Sequence, residues 1–133
     1  MADFPEGSDR IQIAIGLKNW REGETSLSVD RQGKAAVSNL RADKVIQFDG
    51  VLPTQQLEEL AAAVNAVAQI SPQKQPRKPG DVPIKLAWYA GNTVQGHNDD
   101  FWYGDRYTMT DVNQLIRLFN QIVKQISNGR ISA

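Results

Sequence analysis

Along the first fifty residues, apolar side chains alternate with polar ones, which is typical of strands that bury one face. The clearest run is IQIAIGL at residues 11–17, where Ile11, Ile13 and Ile15 fall on one side. Further strands are predicted at SLSV, AAVSNL and KVIQF, residues 26–29, 35–40 and 44–48. The first two are joined by a predicted glycine-containing hairpin turn. KVIQF is either a continuation of AAVSNL past a bulge or a fourth strand.

Two later segments carry apolar residues at the three- and four-residue spacing of an amphipathic helix. The first follows Pro53, with Thr54 as its predicted N-cap. Thr110 or Asp111 is expected to cap the second, and Gly129 to stop it. The predicted apolar stripes are Leu57, Leu60, Ala61, Val64, Val67 and Ala68 in the first helix, and Val112, Leu115, Ile116, Phe119, Ile122, Val123 and Ile126 in the second.

Between the helices the sequence predicts a loop and a hairpin. Four prolines surround Lys74, Arg77 and Lys78, which indicates a stiff basic loop. Residues 84–89 then alternate as a strand, residues 101–109 are its predicted partner, and the polar residues between them are expected to form a long connection.

This order of elements, β-β-β(-β)-α-β-β-α, predicts an α+β fold. We expect an antiparallel sheet of about five or six strands, with two amphipathic helices packed on one face. Residues 1–9 are predicted to be a flexible N-terminal tail and residues 10–129 a single domain. The other face of the sheet is left for solvent or a partner.

Charge and composition narrow the classes of function. Fifteen basic and fifteen acidic side chains cancel in the 133 residues, so no long-range field attracts nucleic acid or an anionic membrane. The absence of cysteine excludes disulfides, thiolate nucleophiles and cysteine-based zinc sites. No signal peptide and no run of ~20 apolar residues is found, so we expect a cytoplasmic protein.

The stretch GHNDDFWYGDRY at residues 96–107 holds the only histidine. His97 with Asp99 and Asp100 could serve as a general base or a metal site, because imidazole and carboxylate suit zinc or iron. Adjacent side chains of a strand point to opposite faces, however, so both carboxylates converge with His97 only if the chain turns sharply. No nucleophile elbow or phosphate-binding loop accompanies them. We therefore expect no enzyme, no metal and no cofactor.

The aromatic residues of the same stretch suggest a binding surface. Phe101, Trp102 and Tyr103 are consecutive, so at least one large ring must lie off the buried face of a strand. We expect Trp102 and Tyr103 to be exposed and Trp88 to lie in the core, with hairpin-stabilising aromatic pairs as the alternative. Tryptophan, tyrosine and arginine dominate binding hot spots. The predicted partner-binding residues are Trp102, Tyr103, Arg106, Asp99, Asp100, Asp105 and Trp20, the last of which is either a second anchor or a cap on the core edge.

KVIQFDGVLPTQQLEELAAAVNAV at residues 44–67 is a strand that leads through a turn into an amphipathic helix. With the proline and glycine loop, the aromatic strand pair and the last helix that follow, it resembles the layout of the emfourin family. These are small bacterial cytoplasmic inhibitors of thermolysin-like metalloproteases. The resemblance extends over residues 44–120 as a pattern, and no inhibitory residue matches position by position. It implies a compact protein that acts by occupying another protein, and bacterial immunity proteins, which neutralise toxins, are an equal analogy.

Our leading hypothesis is a non-catalytic inhibitor or immunity protein, a monomer or weak homodimer, that occludes a protease or toxin. One alternative is a small hydrolase or metal-dependent enzyme using His97, Asp99 and Asp100. The other is a homodimeric assembly subunit that pairs through the uncovered face of the sheet.

Overall fold

The computed structural model describes residues 4–5, 7–16, 23–41, 44–69 and 82–131, apart from the side chains of Asp99 and Asp100. Trp20 and the basic loop predicted around Lys74 lie outside these residues, so the hypotheses about them stay predictions.

Six antiparallel strands form one sheet in the order β4-β3-β2-β1-β5-β6. Two helices accompany it, which confirms the predicted α+β fold. KVIQF belongs to a separate fourth strand rather than to a bulged third one. The strands are β1 (Arg10–Gly16), β2 (Glu24–Asp30), β3 (Lys34–Arg41), β4 (Lys44–Val51), β5 (Pro83–Ala90) and β6 (Thr93–Trp102).

Strand β1 lies in the middle of the sheet and organises the core. Its isoleucines are buried as the alternation predicts. Ile13 lies opposite Leu27 of β2 and opposite Leu86 of β5, so three strands contribute apolar side chains at the same level. Each fully buried side chain of this size stabilises the fold by about 1.5–3 kcal/mol relative to leaving it in water.

The helices α1 (Thr54–Ala68) and α2 (Thr110–Ile126) cover one face of the sheet and share its core. Their most buried residues follow the predicted stripes and are Leu60, Val64, Phe119, Ile122 and Val123. At the surface the amides of Gln56 and Gln125 bond to each other, at 3.1 and 3.3 Å. Of the helices in the described ranges, none has the length and apolar character needed to cross a membrane.

Both helices begin one residue earlier than the side chains suggest. The N-caps are Pro53 and Met109, neither of which makes a side-chain capping bond, so the predicted caps at Thr54 and Thr110 or Asp111 were wrong. Each helix therefore follows an N-cap residue with non-helical backbone and has no capping side chain. The predicted stop at Gly129 is confirmed, because its φ is +80° and its N–H bonds to the carbonyl of Lys124 at 2.8 Å.

The second hairpin differs from its prediction. Residues 93–102 form strand β6 rather than a long loop, and a turn of two residues joins β5 to it, with Ala90 opposite Thr93. Residues 103–107, predicted as strand, form a 3₁₀ helix (Tyr103–Tyr107). β6 is an edge strand, so polar side chains can face water on it without cost, and its sequence lacks the alternation that identifies a half-buried strand.

The N-terminal segment packs against the domain where it is described. Residues 1–9 were expected to be a flexible tail, yet Phe4 is 5% and Ser8 1% exposed. The Arg31 Nε donates to the carbonyl of Ser8 at 2.7 Å, and its guanidinium lies 5.8 Å from the Phe4 ring centroid. These contacts hold the segment beside the turn between β2 and β3.

Candidate protein-binding surface at the end of strand β6

The 3₁₀ helix is held at the end of β6 by backbone contacts on both sides. Trp102 is the last strand residue, and its N–H donates to the Asp105 carboxylate at 2.9 Å. The next N–H, of Tyr103, donates to the carbonyl of Val82 at 2.9 Å, just before β5. Two further N–H groups, of Thr108 and Met109, bond to the carbonyl of Asp105. The chain therefore turns from sheet to α2 in one fixed conformation.

Arg106 is clamped between two tyrosine rings within this turn. Its guanidinium carbon lies 3.8 Å from the ring centroid of Tyr103 and 4.1 Å from that of Tyr107. It also donates to the Tyr103 carbonyl at 2.7 Å and to the Tyr107 hydroxyl at 2.5 Å. Each cation–π contact at a partly exposed site contributes about 0.5–1 kcal/mol. These contacts hold the three side chains together in the unbound protein.

We call Trp102, Tyr103, Arg106 and Tyr107 the aromatic platform. Tyr107 is 77% exposed, the largest value among the exposed large hydrophobic residues of the described chain. Trp102 and Tyr103, expected to be exposed, are only half-buried, and Tyr103 packs against the hydrophobic core. Tyr103 is less exposed than expected because it begins the 3₁₀ helix instead of continuing strand β6. Tyr107 belongs to the same aromatic stretch, residues 96–107, but was not among the predicted binding residues.

Two further aromatic residues of the hairpin, Phe101 and Trp88, differ in burial. Phe101 is 1% exposed and belongs to the core. Trp88, predicted as core, is half-buried and packs against the core from its margin. Its indole lies across Gly96 of β6, where an added Cβ would come within 2.4 Å of the ring. Glycine at this position gives the indole a flat surface to rest on.

Of the three aspartates among the predicted partner-binding residues, Asp105 has a structural role. Asp105 caps the 3₁₀ helix through the Trp102 N–H, so its carboxylate already has a partner inside the molecule. Asp99 and Asp100 lie in β6 at an irregularity, because Ile84 pairs with Phe101 whereas Leu86 pairs with Asn98. The extra residue makes this a bulge. The roles of the two aspartate side chains stay predictions.

His97 lies away from the aromatic platform, on the uncovered face of the sheet opposite Ala87. It lines an open depression of about 330 Å³ together with Gln12, Lys85 and Tyr89. Its neighbour Asn98 is buried, and the amide donates to the carbonyl of Val67 at 3.5 Å, on the helix side. In the ranges that the structure describes, no group of three histidine, cysteine or acidic residues could hold a metal ion.

The chain matches no protein-family model, and no curated protein matches it. The emfourin-like layout and the immunity-protein analogy therefore stay hypotheses.

Proposed function

We propose that this protein is a non-catalytic binding domain that occludes a site on another protein with its aromatic platform. The observation that carries the proposal is the Arg106 clamp with its outer ring 77% exposed. The Tyr107 ring lies mostly in water, and the stacked guanidinium of Arg106 holds it in position. Tyrosine, tryptophan and arginine are also the residues that contribute most binding energy in protein interfaces.

The order of the platform supports tight binding. Association costs about 0.5–1.5 kcal/mol for each flexible side chain that it immobilises. Arg106 and Tyr107 already restrict each other through stacking and a hydrogen bond, so part of that cost is met on folding. A standard interface would bury ~800 Å² of this protein. The platform and the adjoining end of β6 would form the centre of that interface.

The proposed mechanism is steric. The platform docks on a protease or toxin-like target and blocks access to its site, with no chemistry on either partner. The wider proposal places this pair in the bacterial cytoplasm, as the emfourin-like layout implies.

Replacing Tyr107 with alanine tests the proposal most directly. We expect the loss of at least ~2 kcal/mol of binding free energy, which is roughly a 30-fold increase in Kd. The free energy of unfolding should fall by no more than about 1 kcal/mol, because the ring is mostly in water. Trp102→Ala should weaken binding similarly. The target is captured from the native host with the immobilised chain, identified by mass spectrometry, and its affinity is then measured with purified partners.

Val94→Ala is a control, because Val94 is also an exposed apolar residue, 50% accessible, and lies in strand β6 outside the platform. It should bind like the wild type. Equal binding by Tyr107→Ala, Trp102→Ala and wild type would remove the platform as the docking surface. Inhibition of a thermolysin-like metalloprotease by the purified chain decides whether the target is of the emfourin type.

A further inference from the structure

Strand β4 is an exposed apolar edge of the sheet. It pairs with β3 on one side, and no strand of the described ranges pairs with the other. Its side chains are largely in water, with Val45 60%, Ile46 45% and Val51 68% exposed. Unpaired backbone groups beside apolar side chains form a template on which another strand can add.

The opposite edge of the sheet is not equivalent. The register of β6 against β5 shifts twice, near Asn98 and near Val94, and irregularities of this kind block further pairing. The register of β4 against β3 runs without a shift through eight pairs, from Lys34 with Val51 to Arg41 with Lys44. β4 is therefore the edge that is regular enough to continue the sheet.

The hydrogen-bond pattern of β4 shows which of its backbone groups point away from β3. The Leu52 N–H bonds to the carbonyl of Gly33 at 2.8 Å. Hydrogen-bonded pairs alternate in an antiparallel ladder, so the even-numbered residues of β4 bond to β3. The N–H and C=O groups that point outward belong to Val45, Gln47, Asp49 and Val51.

We propose that a second copy of this chain adds to this edge, with the two β4 strands antiparallel about a two-fold axis at Phe48. In this register Val45 lies opposite Val51 of the second copy, and Gln47 lies opposite its Asp49. All four outward residues are then paired with outward residues, which gives roughly eight backbone hydrogen bonds. The two sheets become one continuous sheet across the dimer.

Charge and hydrogen bonding select this register over its neighbours. Moving the axis to Asp49 places two carboxylates directly opposite each other, which is destabilising. Moving it to Gln47 sets Val45 against a carboxylate and leaves Val51 opposite no residue of β4. The axis at Phe48 avoids both.

Side chains on the helix side also fit. Ile46 of one copy lies opposite Gly50 of the other. Ile126 of α2 already covers that glycine, since its Cγ1 is 3.3 Å from the position of a Cβ on Gly50. Ile46 therefore meets Ile126 at the margin of the second copy's core, and the two Phe48 residues lie opposite each other at the axis.

The contact is small, because one strand from each copy contributes most of it. Interfaces below ~1,200 Å² are typical of weak association, so we expect a dimer that dissociates in the micromolar range. Sedimentation of the full chain from about 5 to 500 µM should show a monomer that converts to a dimer. A monomer at every concentration overturns the proposal.

Cysteine pairs test the register, since the natural chain contains no cysteine. Paired residues of the two strands have Cα atoms about 5.5 Å apart, within reach of a disulfide. A mixture of Val45→Cys and Val51→Cys chains should therefore form a mixed disulfide dimer under mild oxidation. Either variant alone should not, because its two cysteines would lie roughly 20 Å apart. Mixed dimers from Val45→Cys with Asp49→Cys instead would show the register to be wrong.

Val51→Lys and its matched control Val94→Lys separate the two sheet edges. Val51→Lys should weaken dimerisation at least tenfold, and Val94→Lys should leave it unchanged. The reverse result would place the contact on β6 and overturn the proposal. Both positions are outside the aromatic platform, so binding of the target by Val51→Lys stays at the wild-type level whichever way the dimer test falls.

Discussion

Replacing Gly96 with alanine should destabilise the fold through one contact, that of the Trp88 ring. A Cβ at Gly96 would lie 2.4, 2.6 and 2.7 Å from Cζ2, Cε2 and Nε1 of the indole. The backbone of Gly96 is not in the left-handed region, so alanine is acceptable there apart from the ring. The indole must therefore swing away from the sheet and give up its packing.

The expected cost follows from the size of that clash. Overpacking of a well-fitted site costs typically 1–3 kcal/mol, and we expect ~2 kcal/mol here because three ring atoms are involved. Urea unfolding of small domains has a slope of about 1–3 kcal/mol per molar. The midpoint should therefore fall by roughly 1 M, measured by circular dichroism so that the tryptophan environment does not bias the result.

A double-mutant cycle isolates the contact. In a Trp88→Leu background, Gly96→Ala should cost less than about 0.5 kcal/mol, because the ring that it strikes is gone. The reasoning is refuted if the alanine is equally costly in both backgrounds, or if it leaves the wild-type midpoint unchanged.

Three further substitutions test local contacts by thermal or urea unfolding. Asp105→Ala should cost about 1 kcal/mol and speed hydrogen exchange at the Trp102 amide, since the cap of the 3₁₀ helix is lost; slow exchange in the variant would contradict this. Gly16→Ala should cost at least ~2 kcal/mol, because φ is +109° and the Cβ would lie 2.3 Å from a facing carbonyl oxygen. Ser127→Ala should cost about 1–2 kcal/mol and loosen the C-terminal residues, as the buried hydroxyl accepts from the Ile131 N–H at 3.0 Å; protection of that amide from exchange should fall, and unchanged protection would show the bond to be unimportant.

The elements that the sequence predicted correctly are those in which buried residues recur at a regular spacing. The isoleucines of β1 and the stripe of α2 are buried at every predicted position, because a single face of each element meets the core. The β-hairpin turn after β2 was also foreseen, and Gly33 adopts φ +87° there. In these segments local pattern and tertiary environment agree.

The region after β5 was predicted poorly for a physical reason. β6 is an edge strand with two register shifts, so its side chains do not alternate strictly between core and water. The 3₁₀ helix is set by two long-range or capping contacts, the Tyr103 bond to Val82 and the Asp105 bond to Trp102. Neither contact can be read from periodicity, so the sequence indicated the aromatic composition of the platform but not its shape.

The central place of β1 has a consequence for synthesis. Ile15 pairs with Ile84, which lies 69 residues further along the chain. At ~5–20 residues per second, a ribosome needs roughly 3–14 s to deliver that second neighbour. During this interval the isoleucine strand has one open flank, so faster translation of the intervening residues or a holdase should raise the yield of native protein.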